Sequence, residues 1–338
     1  MPLTKPQFDA LFSRGSSRFC GGPALLAPME DVTDVVFRRI ARGFGADACF
    51  TEFVNVEGLL RGCKNAKRKM LLDDEDRSEA CPTAIQIYGS NPERLAEAAR
   101  VAEESEPAWI DVNCGCWVPK IAGRGAGAGW LRDPDAMVAM AKLVVSSASC
   151  LVTVKTRIGL DETQRPIVDL ARRLEDAGVA ALTIHCRTAK MGHSGSADWS
   201  WAARAREVVS IPVIVNGDVD SADAAARAFD STRCAAVMVG RRAIEHPWIF
   251  REIRGHHAPP TFEERIALCR DHLRANVAQR GELHGVRVTR RHLSGYLRGM
   301  PGAAELRRTL LFCDSLVGCL EILDRAEASL LARPELVA

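Results

Sequence analysis

The stretch DVNCGCWVPKIAGRGAGAGW, residues 111–130, places two thiols, Cys114 and Cys116, where an apolar run gives way to glycine-rich sequence. A thiol in that position could be a metal ligand, half of a disulfide, the start of a phosphate loop or a reagent. The twelve cysteines form no repeated C-x-x-C pairs and no Cys/His set at zinc spacing, so no metal site is expected. A chain of 338 residues buries enough core to do without disulfides. A reducing, cytoplasmic setting follows, with most cysteines serving as small apolar groups. Gly123, Gly125 and Ala128 formally fit a dinucleotide fingerprint, but they begin several residues past the apolar run, where that motif does not work. The use of the two thiols stays open until the rest of the chain is read.

Other chemically capable side chains recur in the same relation to apolar runs. The runs are ALLAPM (24–29), ACFTEF (48–53), TAIQIYG (83–89), WIDVNCG (109–115), LVTVKTR (151–157), ALTIHCR (181–187), PVIVNGD (212–218) and AVMVGRR (236–242). At or near their ends stand Met29, Glu52, Gln86, Asn113, Lys155, His185, Arg187, Asn216, Asp218 and Arg241. Between the runs lie stretches of helical period such as PERLAEAARVAEE. Short apolar runs alternating with helices predict β-α units and a parallel sheet. Eight of them within roughly 220 residues match one (β/α)8 TIM barrel, whose chemistry sits at the C-terminal strand ends. An open doubly wound sheet is the competing architecture.

The remaining elements bound the organisation. Residues 1–22 read as an N-terminal extension, with charges and a proline where a signal peptide needs an apolar run. The barrel takes residues 23–255, HHAPP (256–260) links, and residues 261–338 read as a small all-α helical domain of three or four helices. Formal net charge is +2, so any polyanion must meet a local patch. Residues 251–338 hold 14 Arg against 11 Asp plus Glu. There Arg287, Arg291 and Arg298 are spaced to share a helix face, with Arg290 beside them. No stretch approaches the roughly 20 apolar residues of a membrane span, and a soluble protein is expected.

Read together, APMEDVTD, TEFV, QIYGSNPE, DVNCGC, VTVKTRIG, LTIHCRT, IPVIVNGDV and VMVGR resemble the dihydrouridine synthases in sequence and order. These are flavin-dependent barrel enzymes that reduce selected uridines in transfer RNA. The resemblance spans roughly residues 22–330, and RVTRRHLSGYL is similar to the family's RNA-facing helix. It implies FMN as cofactor and NADPH as reductant, with hydride passing from the flavin N5 to uracil C6. Cys116 is then the acid that protonates C5. A free thiol titrates at about 8.5 and is already protonated at neutral pH, so no thiolate-stabilising partner is expected beside it. The glycines after it would let the loop swing over a bound base.

The resemblance also assigns cofactor contacts. Ala27, Pro28 and Met29 lie along the flavin ring, Gln86 bonds its pyrimidine edge, and Lys155 faces N1 and O2. His185 contacts flavin or uracil. The phosphate falls to Asn216, Gly217, Asp218, Gly240 and Arg241, at the strand ends where barrels hold phosphate. Asn113 faces the substrate, and Arg187, Lys190, Arg287, Arg290, Arg291 and Arg298 contact tRNA. A monomer is expected. Trp117 departs from the family's proline after the cysteine, and Pro119 is expected to restore rigidity. TEFV and NCGC lean towards C-type enzymes acting on position 16; LTIHCRT, HPWIFREI and RVTRRHLSGYL lean towards the B-type, acting on position 17. Two other readings remain: a small-molecule flavin reductase of the dihydropyrimidine or dihydroorotate type, and a redox-inactive flavin-containing RNA-binding protein.

Overall fold

A computed structural model describes residues 2–13 and 22–332; the parts of the expected extension and tail at 14–21 and 333–338 lie outside the described residues. Nine parallel strands form the frame. They are β1 (Ala24–Leu26), β2 (Cys49–Phe50), β3 (Val54–Asn55), β4 (Thr83–Tyr88), β5 (Ile110–Cys114), β6 (Val152–Arg157), β7 (Leu182–His185), β8 (Val213–Asn216) and β9 (Ala236–Val239). Their order is β1-β9-β8-β7-β6-β5-β4-β2, with β3 also on β4. The ring closes where Leu26 N–H donates to Ala48 O and Asp47 N–H donates to Ala24 O, both at 2.9 Å. The chain therefore folds as a TIM barrel, and the open doubly wound sheet is excluded.

One expected strand divides. The run 48–53 makes only Cys49–Phe50, and pairing resumes at Val54–Asn55. Between them the Thr51 hydroxyl, not a carbonyl, accepts the Gln86 N–H at 3.1 Å, so a side chain interrupts the ladder. The other runs form strands because residues buried on both sheet faces read as near-continuous apolar sequence. Helices cover the outside, with buried stripes such as Met137, Met140, Ala141 and Val144.

Alternate strand residues face the barrel interior. Phe50, Trp109, Ala181, Ile214 and Met238 fill it, joined by Leu3, Phe8 and Leu11 from the N-terminal segment and its helix Lys5–Ser13. Leu3 N–H donates to Ala108 O at 3.0 Å, just before β5. The expected extension is thus a plug for the strands' N-terminal ends.

The chain divides into two compact units, Met1–Gly240 with Phe250–Gly255, and Arg241–Ile249 with His256–Ala338. Arg241–Ile249 therefore groups with the helices and not with the barrel to which its sequence assigned it. Within the second unit, Trp248 packs on Tyr296 with ring centroids 5.7 Å apart. Its longer helices are Phe262–Arg280, Glu282–Tyr296, Ala303–Phe312 and Leu316–Leu331. Thr261 and Glu264 form a capping box that starts the first.

Candidate active site

The strand register sets the site. Gln86 is level with Asp111, Asn113 with Lys155, Arg157 with His185, and His185 with Asn216. Lys155 Nζ donates to Asn216 Oδ1 at 3.0 Å across the intervening β7, a bond possible only on the interior face. Asn216 in turn donates from Nδ2 to Met238 O at 2.8 Å. Burial, and then Arg157 nearby, bring the Lys155 ammonium down to about 8. It keeps two further N–H donors at the mouth.

Cys116 lies two residues past β5. Asn113 Oδ1 accepts the backbone N–H of Gly115 at 3.1 Å and of Cys116 at 2.9 Å, folding the chain back over the strand end. Burial raises the Cys116 thiol, outweighing the opposing Val118 N–H and Arg157 charge. Held as a thiol, it is an acid at neutral pH. Cys114 is fully buried and pushed far up by burial, an inert core thiol. All eleven described cysteines are free.

The glycine-rich stretch is not the loose hinge its composition implied. Pro119 opens the helical turn Pro119–Ala122, and Gly127–Arg132 makes a 3-10 helix. Ala128 N–H donates to Cys116 O at 2.9 Å, and Trp130 Nε1 to Gly89 O at 2.9 Å, fastening the segment to the barrel. Trp117 is exposed; its indole lies over Gly192, where any Cβ would press at 3.3 Å, and meets His193 edge-on at 5.7 Å.

Arg157 escaped sequence analysis although it ends a quoted run. Its period-two spacing from Lys155 was the available signal. It donates from Nε to Gly115 O at 2.8 Å and from Nη1 to Thr188 O and Gly192 O, both at 2.9 Å. One guanidinium thus ties the loop after β5 to the loop after β7. Burial lowers it to about 10. Asp111 and Thr153 were also missed, being interior positions read as ordinary strand.

Two of the predicted residues are committed to each other. Arg187 is buried, and its Nη2 bonds both Asp218 oxygens at 2.7 and 2.6 Å and Gly195 O at 2.6 Å. Asp218 is consequently committed to Arg187 and to the Ala197 N–H at 2.7 Å, which removes it from phosphate binding, where a carboxylate would in any case repel. Asn216 and Gly217 remain at the strand end. Gly217 has φ +107, and a Cβ there would strike the His185 ring at 2.9 Å. His185 is buried and depressed well below the usual imidazole range, first by burial and then by Lys155, Arg157 and Arg187. It is neutral, and Nε2 faces Arg187 Nη1 at 3.5 Å.

The other predicted residues are spread more widely. Ala27 is buried, Pro28 and Met29 half-buried, and Gly240 partly open beyond β9. Gln86 is buried beneath the mouth, bonded to Asp111 and Asn113. Lys190 is exposed. Arg241 is exposed and opens the short helix Arg241–Glu245 of the second unit. In that unit the arginine face is largely neutralised: Arg287 and Arg290 both pair with Asp314, at 2.9 and 2.6 Å. Arg298 lies past the end of Glu282–Tyr296 and pairs with Glu245 at 2.8 Å. Arg291 is exposed and has no ion pair among the described residues.

These residues define a class: a barrel protein with a protonated thiol, a neutral histidine and two cations at one mouth. The dihydrouridine synthase family model matches residues 25–330. Similar sequences include the probable tRNA-dihydrouridine synthase 1 of Synechocystis sp., 35% identical over 309 residues, 89% of this chain and 85% of that protein. The tRNA-dihydrouridine synthase B of Pseudomonas aeruginosa is 36% identical over 289 residues, 84% and 86% of the two. Among solved structures, a 2-naphthoyl-CoA reductase complex aligns with TM-score 0.53 and 10% identity, over 68% of this chain and 49% of that one, a likeness of fold alone. The chain belongs to the dihydrouridine synthase family and is an enzyme, an oxidoreductase.

Proposed function

We propose that the barrel mouth binds FMN and reduces the C5=C6 bond of a D-loop uridine of tRNA, at position 16 or 17, with NADPH as reductant, in the cytoplasm. The observation that carries this reading is the Cys116 thiol, held protonated beside buried cations. Among the described residues neither Lys155 nor Arg157 has a carboxylate ion-pair partner. Positive charge at the mouth with no salt-bridged carboxylate, offset at Lys155 only by the nearby Asp111, fits an anionic group, as a flavin phosphate or a reduced flavin ring is. FMN, when bound, supplies the hydride, chemistry that no side chain provides.

The chain's own residues do the rest. Lys155 offers its free N–H groups to negative charge on the ring, and Gln86, fully buried, supports Asn113 from beneath. Ala27, Pro28 and Met29 give an apolar flank; the turns at Gly217 and Gly240 would take a phosphate, beside Asn216, which is held by Lys155 and Met238. The Cys116 proton goes to C5 as hydride arrives at C6, leaving a thiolate that solvent reprotonates. Neutral His185 can donate or accept one hydrogen bond to a uracil carbonyl or imide without adding charge. A base in a stack cannot reach this depth, so the uridine must leave it. Similarity to the Pseudomonas enzyme sides with the B-type motifs, hence with position 17 of the two.

The test is anaerobic single turnover. Reduced, FMN-loaded protein mixed with tRNA lacking dihydrouridine should be reoxidised rapidly, and by uracil hardly at all. Equal oxidation by uracil would turn the reading to a small-molecule reductase, and none with tRNA would end it.

A further inference from the structure

Beneath the mouth runs a hydrogen-bond chain whose every link has a direction. The backbone N–H groups of Gly115 and Cys116 converge on Asn113 Oδ1. Asn113 Nδ2 therefore points the other way and donates to Gln86 Oε1 at 2.8 Å. Gln86 Nε2 then donates to Asp111 Oδ2 at 2.6 Å, and the Thr153 hydroxyl donates to Asp111 Oδ1. Asp111 and Gln86 are fully buried and Asn113 nearly so, leaving no water to replace a lost partner.

We infer that Asp111 is a positioning residue for Cys116, acting through Gln86 and Asn113. The inference rests on the reading of Cys116 as the acid. An ionised carboxylate only accepts hydrogen bonds, so Gln86 must face it with its amino end. That leaves the Gln86 oxygen for Asn113 and so turns the Asn113 oxygen to the backbone that carries the thiol. Reversing any amide sets N–H against N–H or oxygen against oxygen. The Cys116 segment has two other ties, Ala128 N–H on Cys116 O and Arg157 Nε on Gly115 O. Of the three, only the Asn113 tie continues into the Gln86 and Asp111 chain.

A buried acid in a barrel interior is costly, and burial lifts Asp111 to about 7. The protonated form keeps the same polarity. Its proton sits on Oδ1, towards a Thr153 hydroxyl that accepts as well as donates, and Oδ2 still accepts from Gln86. The requirement is thus an acceptor at this point, not a charge.

Three variants read the polarity. Asp111→Asn keeps an oxygen for Gln86 and turns its amino group to Thr153. Asn113→Asp breaks the chain by putting acceptors on both sides of one glutamine. The double variant reverses it: Thr153 donates to Asn at 111, that residue to Gln86 Oε1, Gln86 Nε2 to Asp at 113, and the Cys116 N–H to the same carboxylate. Asn113→Asp should slow tRNA-driven flavin oxidation at least tenfold, while Asp111→Asn and the double variant stay within about threefold of the parent. In flavin-free protein, alkylation of Cys116, located by peptide mapping, should change at least fivefold in Asn113→Asp alone. A double variant as slow as Asn113→Asp, or an Asp111→Asn as slow, overturns the inference. Failure of the parent itself to oxidise with tRNA strikes the function reading instead, and the alkylation series still decides the relay.

Discussion

At the N-terminal end of β5, Trp109 meets the rings of Phe8 and Phe50 edge-on at 5.2 and 5.7 Å, in an apolar layer closed by the helix Lys5–Ser13. Four residues further along the chain, the same run carries Asn113, followed by Cys116 among Lys155, Arg157 and His185. One end of the barrel buries hydrocarbon against hydrocarbon and gains stability from it. The other buries an ammonium, a guanidinium and a carboxyl, each at a cost that the lower layers must offset. In a parallel barrel these ends are kept apart by the length of a strand, so the costly residues gather where loops can be shaped to a substrate.

The comparison predicts that changes at the two ends move different observables. The largest effect belongs to the mouth: Cys116→Ala should slow tRNA-driven flavin oxidation by about 10²–10⁴, the usual worth of a positioned acid. Its denaturation midpoint should match the parent's, and flavin should stay bound. An unaltered rate would refute the acid assignment. Next comes the base of the barrel. Phe8→Ala removes a fully buried ring and should cost about 3–5 kcal/mol in denaturant unfolding. Its single-turnover rate, measured where it remains folded, should be unchanged.

The smallest effect has the opposite sign. Lys155 titrates at about 8 in the fold, below its unfolded value, so burial penalises the charged form. That penalty is fully present below pH 8 and fades as pH rises to the unfolded value. Lys155→Met should therefore stabilise the flavin-free protein by up to roughly 3 kcal/mol at pH 7 and have little effect above about pH 10.5. Equal stability of the two proteins at every pH would remove the asymmetry between the ends.

The barrel was legible because both strand faces are buried, which writes each strand as an apolar run. The second strand was not, since nothing in ACFTEF marks Thr51 as a side chain standing in for a carbonyl. Cys116, Lys155 and His185 could be found from strand-end position together with the resemblance. Arg187 and Asp218 could not be separated from them. Sequence places a charge at a strand end without saying whether it faces the mouth or folds back onto a neighbouring loop. The pairing of the arginine face was hidden for a related reason: Asp314, which pairs with two of its members, lies 27 and 24 residues away. Asp111 was hidden by its own neighbours, because a buried acid bonded to Gln86 and Thr153 leaves no trace in an apolar run.

Closure of the ring has a consequence during synthesis. β1 pairs with β9, Ala24 beside Val237, so the earliest strand made completes its hydrogen bonds with the last. At roughly 5–20 residues per second, about ten to forty seconds separate their emergence from the ribosome. Throughout that interval one side of β1 has no lasting neighbour, and the nascent chain must keep that open edge from pairing with another copy.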